Sequence, residues 1–441
     1  QQGNLVMGDN GQPMYGGTVP LWASDLGVAG TFGEVQNPVA KLNRLHQYRP
    51  EQTIFSTSSF IMKPIAGLTI KSDFTVSSYN RQFEEFNMKV PEIGKPLNEN
   101  SKVIRDWADK SWLWETTATY SFALNEKHLF SLMGGYTMGY DNSRYNSTTV
   151  YDFSYEDDWA QHFVNGNNWS KTKPEDSFSE ESKVSGFGRA SYSFDDRYFL
   201  TGSLRYDATS KLFERSDIFP AVSGAWKLSS EPFFKDVVPA ISLLKLRASW
   251  GKNGNERIGQ FRYTSLMDGG QNYYFGSGDN AKMQYGSSPS KIANPNVKWE
   301  ESEQLDLGFE SRFFNNSLTF GFDYFKKKTN GMLMDQPIPA YVGKGAPIAN
   351  AGDMQNWGLE FESTYKLKIN DFSFNVGANA SYLNNKLIKL GNASGEAIYA
   401  DAGASGVGSY VKGRNGEVYP YFYGYKTGGI LQNQQQADEY N

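Results

Sequence analysis

Side chains that could carry out chemistry are few in this sequence of 441 residues. It contains no Cys and only three His residues, His46, His128 and His162, which are far apart along the chain. Thiolate nucleophiles, disulfides and Cys- or His-rich zinc sites therefore need residues that the chain lacks. There is also no G-x-S-x-G, no P-loop and no G-x-G-x-x-G between a strand and a helix. We predict that the protein is not an enzyme and uses no cofactor.

An acidic group occurs at Asp152, Glu156, Asp157 and Asp158. Carboxylates are ligands for Ca²⁺, but this spacing fits no calcium-binding loop, so we expect a solvated acidic loop and no metal. The net charge is −5, from 43 basic and 48 acidic residues. This balance provides no basic surface for nucleic acid, which we exclude as a partner.

Aromatic side chains make up 15% of the chain and indicate function more strongly than the acidic residues do. Exposed aromatic rings can stack on the faces of sugars or pack against peptide side chains. Alternatively, such rings pack loops together or belong to the aromatic girdle of a membrane protein. The candidate ligand-binding residues lie in polar segments between predicted strands: Trp159, Trp169, Tyr273, Tyr274 and Phe275.

Alternating apolar and polar residues predict the strands that must hold these loops along nearly the whole chain. In the clearest case, Phe320, Phe322 and Tyr324 fall on one face, and Gly321 and Asp323 fall on the other. The segments are about 10–13 residues long, whereas soluble strands usually have about 5–6 and membrane-crossing strands about 9–11. Mean hydropathy is −0.57 and no run of about 18 apolar residues occurs, so no transmembrane helix is expected.

Short turns and long loops mostly alternate along the chain, as in outer-membrane barrels with short periplasmic turns and long extracellular loops. The short turns lie at Lys63–Gly67, Leu124–Lys127, Asp195–Arg197, Phe314–Asn316 and Asn370–Asp371. The long loops span roughly 81–110, 142–181, 331–354 and 385–417. If every short turn is periplasmic, residues 252–299 must cross the membrane an even number of times, and we predict no crossing there.

The predicted fold class is therefore all-β, an antiparallel transmembrane β-barrel. About twelve strands span the membrane, and a further strand is expected near Tyr419–Lys426. A short helical turn is expected at Glu231–Asp236. Two architectures remain open: a closed barrel of twelve strands, or part of a large plugged barrel of about 22 strands.

Several stretches resemble SusC-like TonB-dependent outer-membrane transporters of Bacteroidetes, the RagA/SusC type. The resemblance is strong in the middle and C-terminal half and weak in the first 180 residues. It rests on five segments: Phe194–Phe234, Leu244–Gly259, Asn294–Thr329, Asn350–Glu360 and Phe422–Asn433.

The resemblance implies a 22-strand barrel that is filled by an N-terminal plug, energised by TonB and lidded by a SusD-like surface lipoprotein. We expect residues 1–441 to be part of such a barrel, with about 12–13 strands present and with the plug and C-terminal strands absent from this chain. Implied partners are outer-membrane lipid, an oligosaccharide or oligopeptide ligand, and TonB through the plug. A dimer of transporter–lipoprotein pairs is a further expectation.

Active nutrient import across the outer membrane is the leading functional hypothesis. A passive sugar porin is one alternative, and dependence on TonB separates the two. A soluble secreted carbohydrate-binding β-protein would also be rich in Tyr and Trp, but it would express without detergent and would protect its sheet edge with charge. An outer-membrane enzyme is least expected, because no set of nucleophile, base and metal ligands is present.

Overall fold

The computed structural model describes residues 38–90, 97–213, 216–235, 238, 240–278, 281–336, 338–391, 398–400, 410–424, 426 and 428–440. The chain divides into two compact units. The first contains Gln1–Phe60, Ser72–Glu115 and Met138–Ser182. The second contains Ile61–Lys71, Thr116–Thr137 and Lys183–Asn441.

Twelve long strands of 12–26 residues dominate the described residues. The first six are β2 (Glu51–Met62), β3 (Leu68–Asn87), β4 (Ser101–Leu124), β5 (His128–Phe153), β7 (Glu175–Phe194) and β8 (Tyr198–Thr209). The other six are β9 (Ser216–Lys227), β10 (Ile241–Asn255), β15 (Glu300–Phe313), β16 (Leu318–Asp335), β17 (Ile348–Ile369) and β18 (Phe372–Leu390).

The remaining elements are short. The small strands are β1 (Leu45–Tyr48), β6 (Gly166–Asn168), β11 (Met267–Gly269), β12 (Tyr273–Phe275), β13 (Lys282–Gln284), β14 (Ser287–Pro289), β19 (Ile398–Ala400), β20 (Val411–Gly413) and β21 (Tyr421–Phe422). The helices are α1 (Pro38–Asn43), α2 (Pro232–Lys235) and α3 (Gln434–Tyr440), with 3₁₀ turns at Asp158–Ala160, Phe163–Asn165, Leu228–Ser230 and Ala340–Val342. Within the described ranges, every helix is too short and too polar to cross a bilayer.

The long strands form one sheet in the order β3-β4-β5-β7-β8-β9-β10-β15-β16-β17-β18, with β1 and β2 both pairing with β3 and β6 pairing with β5. From β7 to β18, each long strand pairs antiparallel with the next one in this order. β10 pairs directly with β15, from Asn255 opposite Glu300 to Ile241 opposite Phe313. Among the described residues, the intervening strands pair as β11 with β14 and β12 with β13. The described part of 252–299 therefore contains no crossing, as predicted.

The two faces of the sheet differ in polarity, as the alternation predicts. Phe322 lies between Phe309 of β15 and Phe361 of β17, so these three side chains share one face. Apolar side chains on this face, such as Leu307 and Leu359, are exposed. An extended apolar surface of this kind suits contact with lipid.

Tight turns join the strands at the expected short connections. Asn125, Asp195, Asp196, Asn316 and Asn370 all have a positive φ there. Asn and Asp tolerate the left-handed region better than other side chains and can hydrogen-bond the turn backbone. The residue types at these connections therefore explain why the chain reverses within a few residues.

Nine of the twelve long strands are longer than the predicted 10–13 residues, whereas β2, β8 and β9 have 12 residues each. The predicted loop ranges beside the longer strands are correspondingly too wide. β5 continues to Phe153 and β7 begins at Glu175, so only 154–174 of the predicted 142–181 loop lies between them. The other long loops shrink in the same way. Beyond the hydrocarbon region a strand no longer needs apolar residues on alternate positions, so backbone pairing continues after the sequence pattern ends.

Two smaller expectations have opposite outcomes. The helical turn expected at Glu231–Asp236 is confirmed as α2, Pro232–Lys235. The prediction of a thirteenth long strand near Tyr419–Lys426 is wrong. Only Tyr421–Phe422 is a strand there, and it pairs with β20 in a separate three-stranded sheet. Two residues are too few to cross a membrane.

Candidate functional site

The first candidate aromatic residues lie in the 154–174 loop of the first unit. Trp159 belongs to the 3₁₀ turn Asp158–Ala160 and is 65% exposed, with its ring centroid 5.5 Å from that of Tyr155. Trp169 follows β6, and its Nε1 donates to the carbonyl oxygen of Gly166 at 3.0 Å. Its ring lies 5.8 Å from the ring of Phe163. Both indoles are therefore presented by a structured loop.

Buried polar contacts with the start of β4 hold this loop in place. Asn100 donates from Nδ2 to the carbonyl of Phe153 and to Oε1 of Glu156, both at 3.0 Å. The backbone N–H of Lys89 also donates to Glu156 Oε1, at 2.7 Å. Lys102, itself buried, pairs with Glu84 and donates to the Gln161 carbonyl.

The acidic residues near this loop thus have structural contacts. Glu156 accepts the hydrogen bonds described above, and Asp158 lies 3.1 Å from Nδ1 of His46. Within the described ranges, no group of three His, Asp or Glu side chains is placed to hold a metal ion.

The loop packs on one identifiable face of β3. Phe163 contacts a cluster formed by Phe86, Met88, Val150 and Phe153. Alternate residues of a strand share a face, so Phe86 and Glu84 lie opposite Phe83 and on the same side as the exposed Phe74. Trp159 and Trp169 therefore belong to a loop packed on the outer, apolar side of this strand.

The other three candidates form β12, half of a small hairpin in the second unit. Tyr273 and Phe275 share a face, with ring centroids 5.0 Å apart in a T-shaped arrangement. Tyr274 is on the opposite face and is paired in register with Met283 of β13. All three aromatic side chains are at least 60% exposed. The hairpin thus displays apolar rings on both of its faces.

The inner face of the second unit carries a polar site that the sequence analysis did not select. Arg247 lies 2.6 Å from Asp323 and 3.2 Å from Glu310. Nearby, Asp306 accepts from Ser249 at 3.2 Å and from Gln304 at 2.8 Å. A cavity of about 620 Å³ is lined by these residues except Glu310. The sequence could have indicated this site, because its charged residues occupy the strand positions between the apolar ones and must share the opposite face.

A second overlooked cluster lies beside the short turn at Asp195–Arg197. The Glu231 carboxylate is 5% exposed and lies 2.7 Å from Arg197, which also contacts Asp195 at 2.6 Å. Trp226 Nε1 donates to Glu231 at 3.0 Å. A hydrogen bond from Tyr198, together with those from Trp226 and Arg197, holds the pKa of Glu231 below its ordinary value. This cluster ties two neighbouring strands to α2 and has the character of a structural anchor.

Comparison with known proteins decides the family. The sequence model described as "TonB dependent receptor-like, beta-barrel" matches residues 26–425. The chain belongs to this family. Family membership places it in the outer membrane, among receptors and not among enzymes. The alternative of a soluble secreted carbohydrate-binding protein is therefore wrong.

Curated relatives of this TonB-dependent receptor barrel include proteins of Formosa agariphila and Bacteroides thetaiotaomicron. The chain is 28% identical to TonB-dependent receptor P3 of Formosa agariphila over 429 residues, which cover 93% of this chain and 41% of the relative. It is 32% identical to TonB-dependent receptor SusC of Bacteroides thetaiotaomicron over 262 residues, 58% of this chain and 25% of the relative. The chain thus spans about two fifths of P3.

Solved structures support the fold. The RagAB peptide transporter matches with a TM-score of 0.76 at 23% identity, covering 89% of this chain and 42% of that chain. The RagAB importer in its "open-open" state matches with a TM-score of 0.74 at 22% identity, covering 88% of this chain and 41% of that chain.

Proposed function

We propose that this chain forms the wall and extracellular loops of a TonB-dependent importer that carries an oligosaccharide or oligopeptide across the outer membrane. The observation that carries the proposal is the family match over residues 26–425. The pattern of long antiparallel strands joined by short turns and longer loops supports it. Transport of this kind requires no covalent chemistry.

The same proposal includes a plug and a lid. In it, residues 1–441 supply part of the barrel domain, a plug domain couples the barrel to TonB, and a SusD-like lipoprotein closes the extracellular mouth. A matched structure, RagAB, is described as a peptide transporter, whereas the resemblance to SusC-like proteins suggests oligosaccharides. The uptake experiment below therefore uses both oligosaccharides and oligopeptides.

We also propose roles for the exposed aromatic residues. The β12 hairpin displays Tyr273, Tyr274 and Phe275 without covering contacts that would bury them, which suits capture of a ligand or packing against a lid. Trp159 and Trp169 lie on the outward side of the first unit, which suits contact with a neighbouring protein or with ligand approaching from outside.

Uptake measurements test the proposal. Cells that carry the complete protein should accumulate a labelled oligosaccharide or oligopeptide, and deletion of tonB should abolish the accumulation. A passive sugar porin would continue to admit the solute without TonB. Purification in mild detergent should also retain a surface lipoprotein, and purification of the transporter alone would contradict the lid.

A further inference from the structure

A group of arginine and aromatic side chains on β3 and β4 has no role in the function described so far. The Arg81 guanidinium carbon lies 4.1 Å from the ring centroid of Trp107. The Arg105 guanidinium carbon lies 5.1 Å from the ring centroid of Phe83. Each arginine thus stacks on an aromatic ring of the neighbouring strand, and we call these four residues the arginine–aromatic cluster.

Two further contacts extend the cluster within the first unit. Arg49 lies over the same Phe83 ring at 4.7 Å. Tyr145 of β5 lies 5.1 Å from Trp107, ring centroid to ring centroid. Three cationic side chains therefore gather around two rings, and stacking limits the directions in which the guanidinium groups can point.

The cluster faces the inside of the wall near its extracellular end. Along β3, Arg81 and Phe83 alternate with Phe74 and Val76, which are exposed on the apolar side. Along β4, Trp107 alternates with Trp112, which contacts Phe74. The cluster precedes the long connection between β3 and β4, the end away from the short turn at Lys63–Gly67.

The arginines of the cluster are not ion-paired with the carboxylates that share their face. In the described part of the chain, neither Arg81 nor Arg105 has a carboxylate within ion-pair distance, 4.0 Å. Carboxylates on the same face keep their charge and are held by neutral neighbours, since Glu85 accepts from Gln47 and Asp109 accepts from Ser143. Like charges on neighbouring strands repel each other.

Arg81 also has an unmet hydrogen-bonding group. Its Nε is buried and has no hydrogen-bond partner. A buried N–H without an acceptor is uncommon in folded proteins and indicates a missing partner. A planar oxyanion is the group that a guanidinium fork binds best.

The surrounding inner face favours a sugar over a peptide. Alternate positions from Thr75 to Glu85 on β3, Arg105 to Ser111 on β4 and Asp141 to Thr149 on β5 carry hydroxyl, charged or aromatic side chains. They include no Val, Ile, Leu or Met, so these parts of β3, β4 and β5 offer no aliphatic pocket for peptide side chains. Hydroxyl groups and aromatic rings instead suit the hydroxyl-rich surface of a saccharide.

We propose that Arg81 and Arg105 form a recognition site for the carboxylate or sulfate groups of an acidic oligosaccharide. The proposal rests on the proposed import function and narrows its substrate class. Trp107 and Phe83 position the guanidinium groups, and an anionic substituent of the sugar accepts hydrogen bonds from their terminal nitrogens.

Binding to the complete protein, purified from its native membrane in detergent, tests the site. The probes are hexagalacturonate, a sulfated hexasaccharide, neutral maltohexaose and hexaglutamate. Arg81→Gln and Arg105→Gln should each weaken binding of an acidic sugar about tenfold to a hundredfold, the usual effect of losing a charge-assisted hydrogen bond. Arg144→Gln is the matched control, because Arg144 also stacks on an aromatic ring, Phe178 at 5.4 Å, but from the opposite face of β5.

The outcomes separate this inference from the import function. Loss of acidic-sugar binding in the two cluster variants but not in Arg144→Gln supports the site, provided that all variants remain folded by resistance to SDS at room temperature. Equal losses in all three variants would overturn it, as would tighter binding of hexaglutamate or maltohexaose. TonB-dependent uptake of a neutral solute with no acidic-sugar binding would leave the import function standing and refute only the anion site.

Discussion

At the scale of residues, alternation determines which side chains meet lipid and which line the interior. Phe322 shares the apolar face with Phe309 and Phe361, whereas Asp323 points to the other face and pairs with Arg247. Neighbouring residues in the sequence therefore have opposite environments, and substitutions at them should have very different effects.

Phe322→Arg should destabilise the barrel by about 2–4 kcal/mol, because it puts a charge into hydrocarbon. Asp323→Asn should change stability by less than about 1 kcal/mol, since Arg247 keeps Glu310 as a partner and the pair is partly exposed. The temperature at which the protein loses its SDS-resistant gel mobility measures both effects. Equal shifts for the two variants would contradict the assignment of faces.

Glu231 should make stability depend on pH. Its pKa in the folded protein is lowered from the ordinary value of 4.5, chiefly by the hydrogen bond from Tyr198. Its contribution to stability is therefore present above about pH 4.5 and is lost as pH falls through the lowered pKa. SDS resistance should decline in that acidic range for the wild type and less steeply for Glu231→Gln.

Asp196→Asn serves as the control for Glu231. Asp196 also contacts a basic residue, Lys227 at 2.7 Å, but its side chain is 77% exposed. The acid sensitivity of this variant should match that of the wild type. A profile in which Asp196→Asn, and not Glu231→Gln, loses the acid transition would show that the anchor lies elsewhere in the turn.

At the scale of elements, rings on one strand cover glycines on the next. Phe187 lies over Gly135, Phe219 over Gly254 and Phe325 over Gly358. A Cβ atom at any of these glycines would overlap the ring. Each pair locks the register of two strands, because a shift by one residue would move the ring away from the open backbone.

Gly254→Ala should therefore destabilise the protein by about 1–3 kcal/mol through overpacking against Phe219. Gly202→Ala is the matched control, because no atom lies within 4 Å of the added Cβ and its φ is not positive. This control should be neutral or slightly stabilising. A larger loss of thermal SDS resistance in Gly202→Ala than in Gly254→Ala would refute the role of the ring–glycine pairs.

Cysteine labelling of intact cells tests which connections are outside, and the native chain has no Cys to interfere. Single Cys substitutions at Ser277 and Asn168 should react with a membrane-impermeant maleimide, and one at Asn316 should not. Ser277 lies between β12 and β13, whereas Asn316 lies in the short turn between β15 and β16. The reverse pattern would invert the topology.

The sequence was sufficient to predict where strands lie within the hydrocarbon region, but it was not sufficient to predict their full lengths. Period-2 alternation located Phe320, Phe322 and Tyr324 because lipid requires apolar residues on one face. No such requirement acts on residues such as Asn142 or Arg144, so the outer part of β5 had no pattern to reveal it. The arginine–aromatic cluster depends on contacts between strands, which spacing along one strand does not encode.

At the scale of the whole molecule, the large sheet has β18 at one end. At its other end lie β1 and β2, which both pair with β3. A strand edge in hydrocarbon leaves N–H and C=O groups without partners, at a cost of several kcal/mol each. In the proposed importer, we therefore expect further strands to lie beside the described ones; closure of the twelve strands on themselves is the alternative.

Residues 1–441 expressed alone should consequently fail to form an SDS-resistant barrel. In the complete protein, a Cys pair at Ser58 and Ser381, on β2 and β18, should not form a disulfide on oxidation. Cys introduced at facing positions of β17 and β18, such as Ser363 and Ala378, is the positive control. Efficient crosslinking of Ser58→Cys with Ser381→Cys would instead show a closed ring of twelve strands.

The length of β17 has a consequence for how large molecules approach the cell. Its 22 residues extend about 70 Å at roughly 3.3 Å per residue, or about 55 Å in height at a tilt of about 40°. The apolar band of the membrane accounts for about 25 Å. With its headgroup regions the bilayer is about 40–45 Å thick, so about 10–15 Å of the strand rises beyond it. A large molecule at the barrel mouth would therefore meet a wall of protein before it came level with the lipid headgroups.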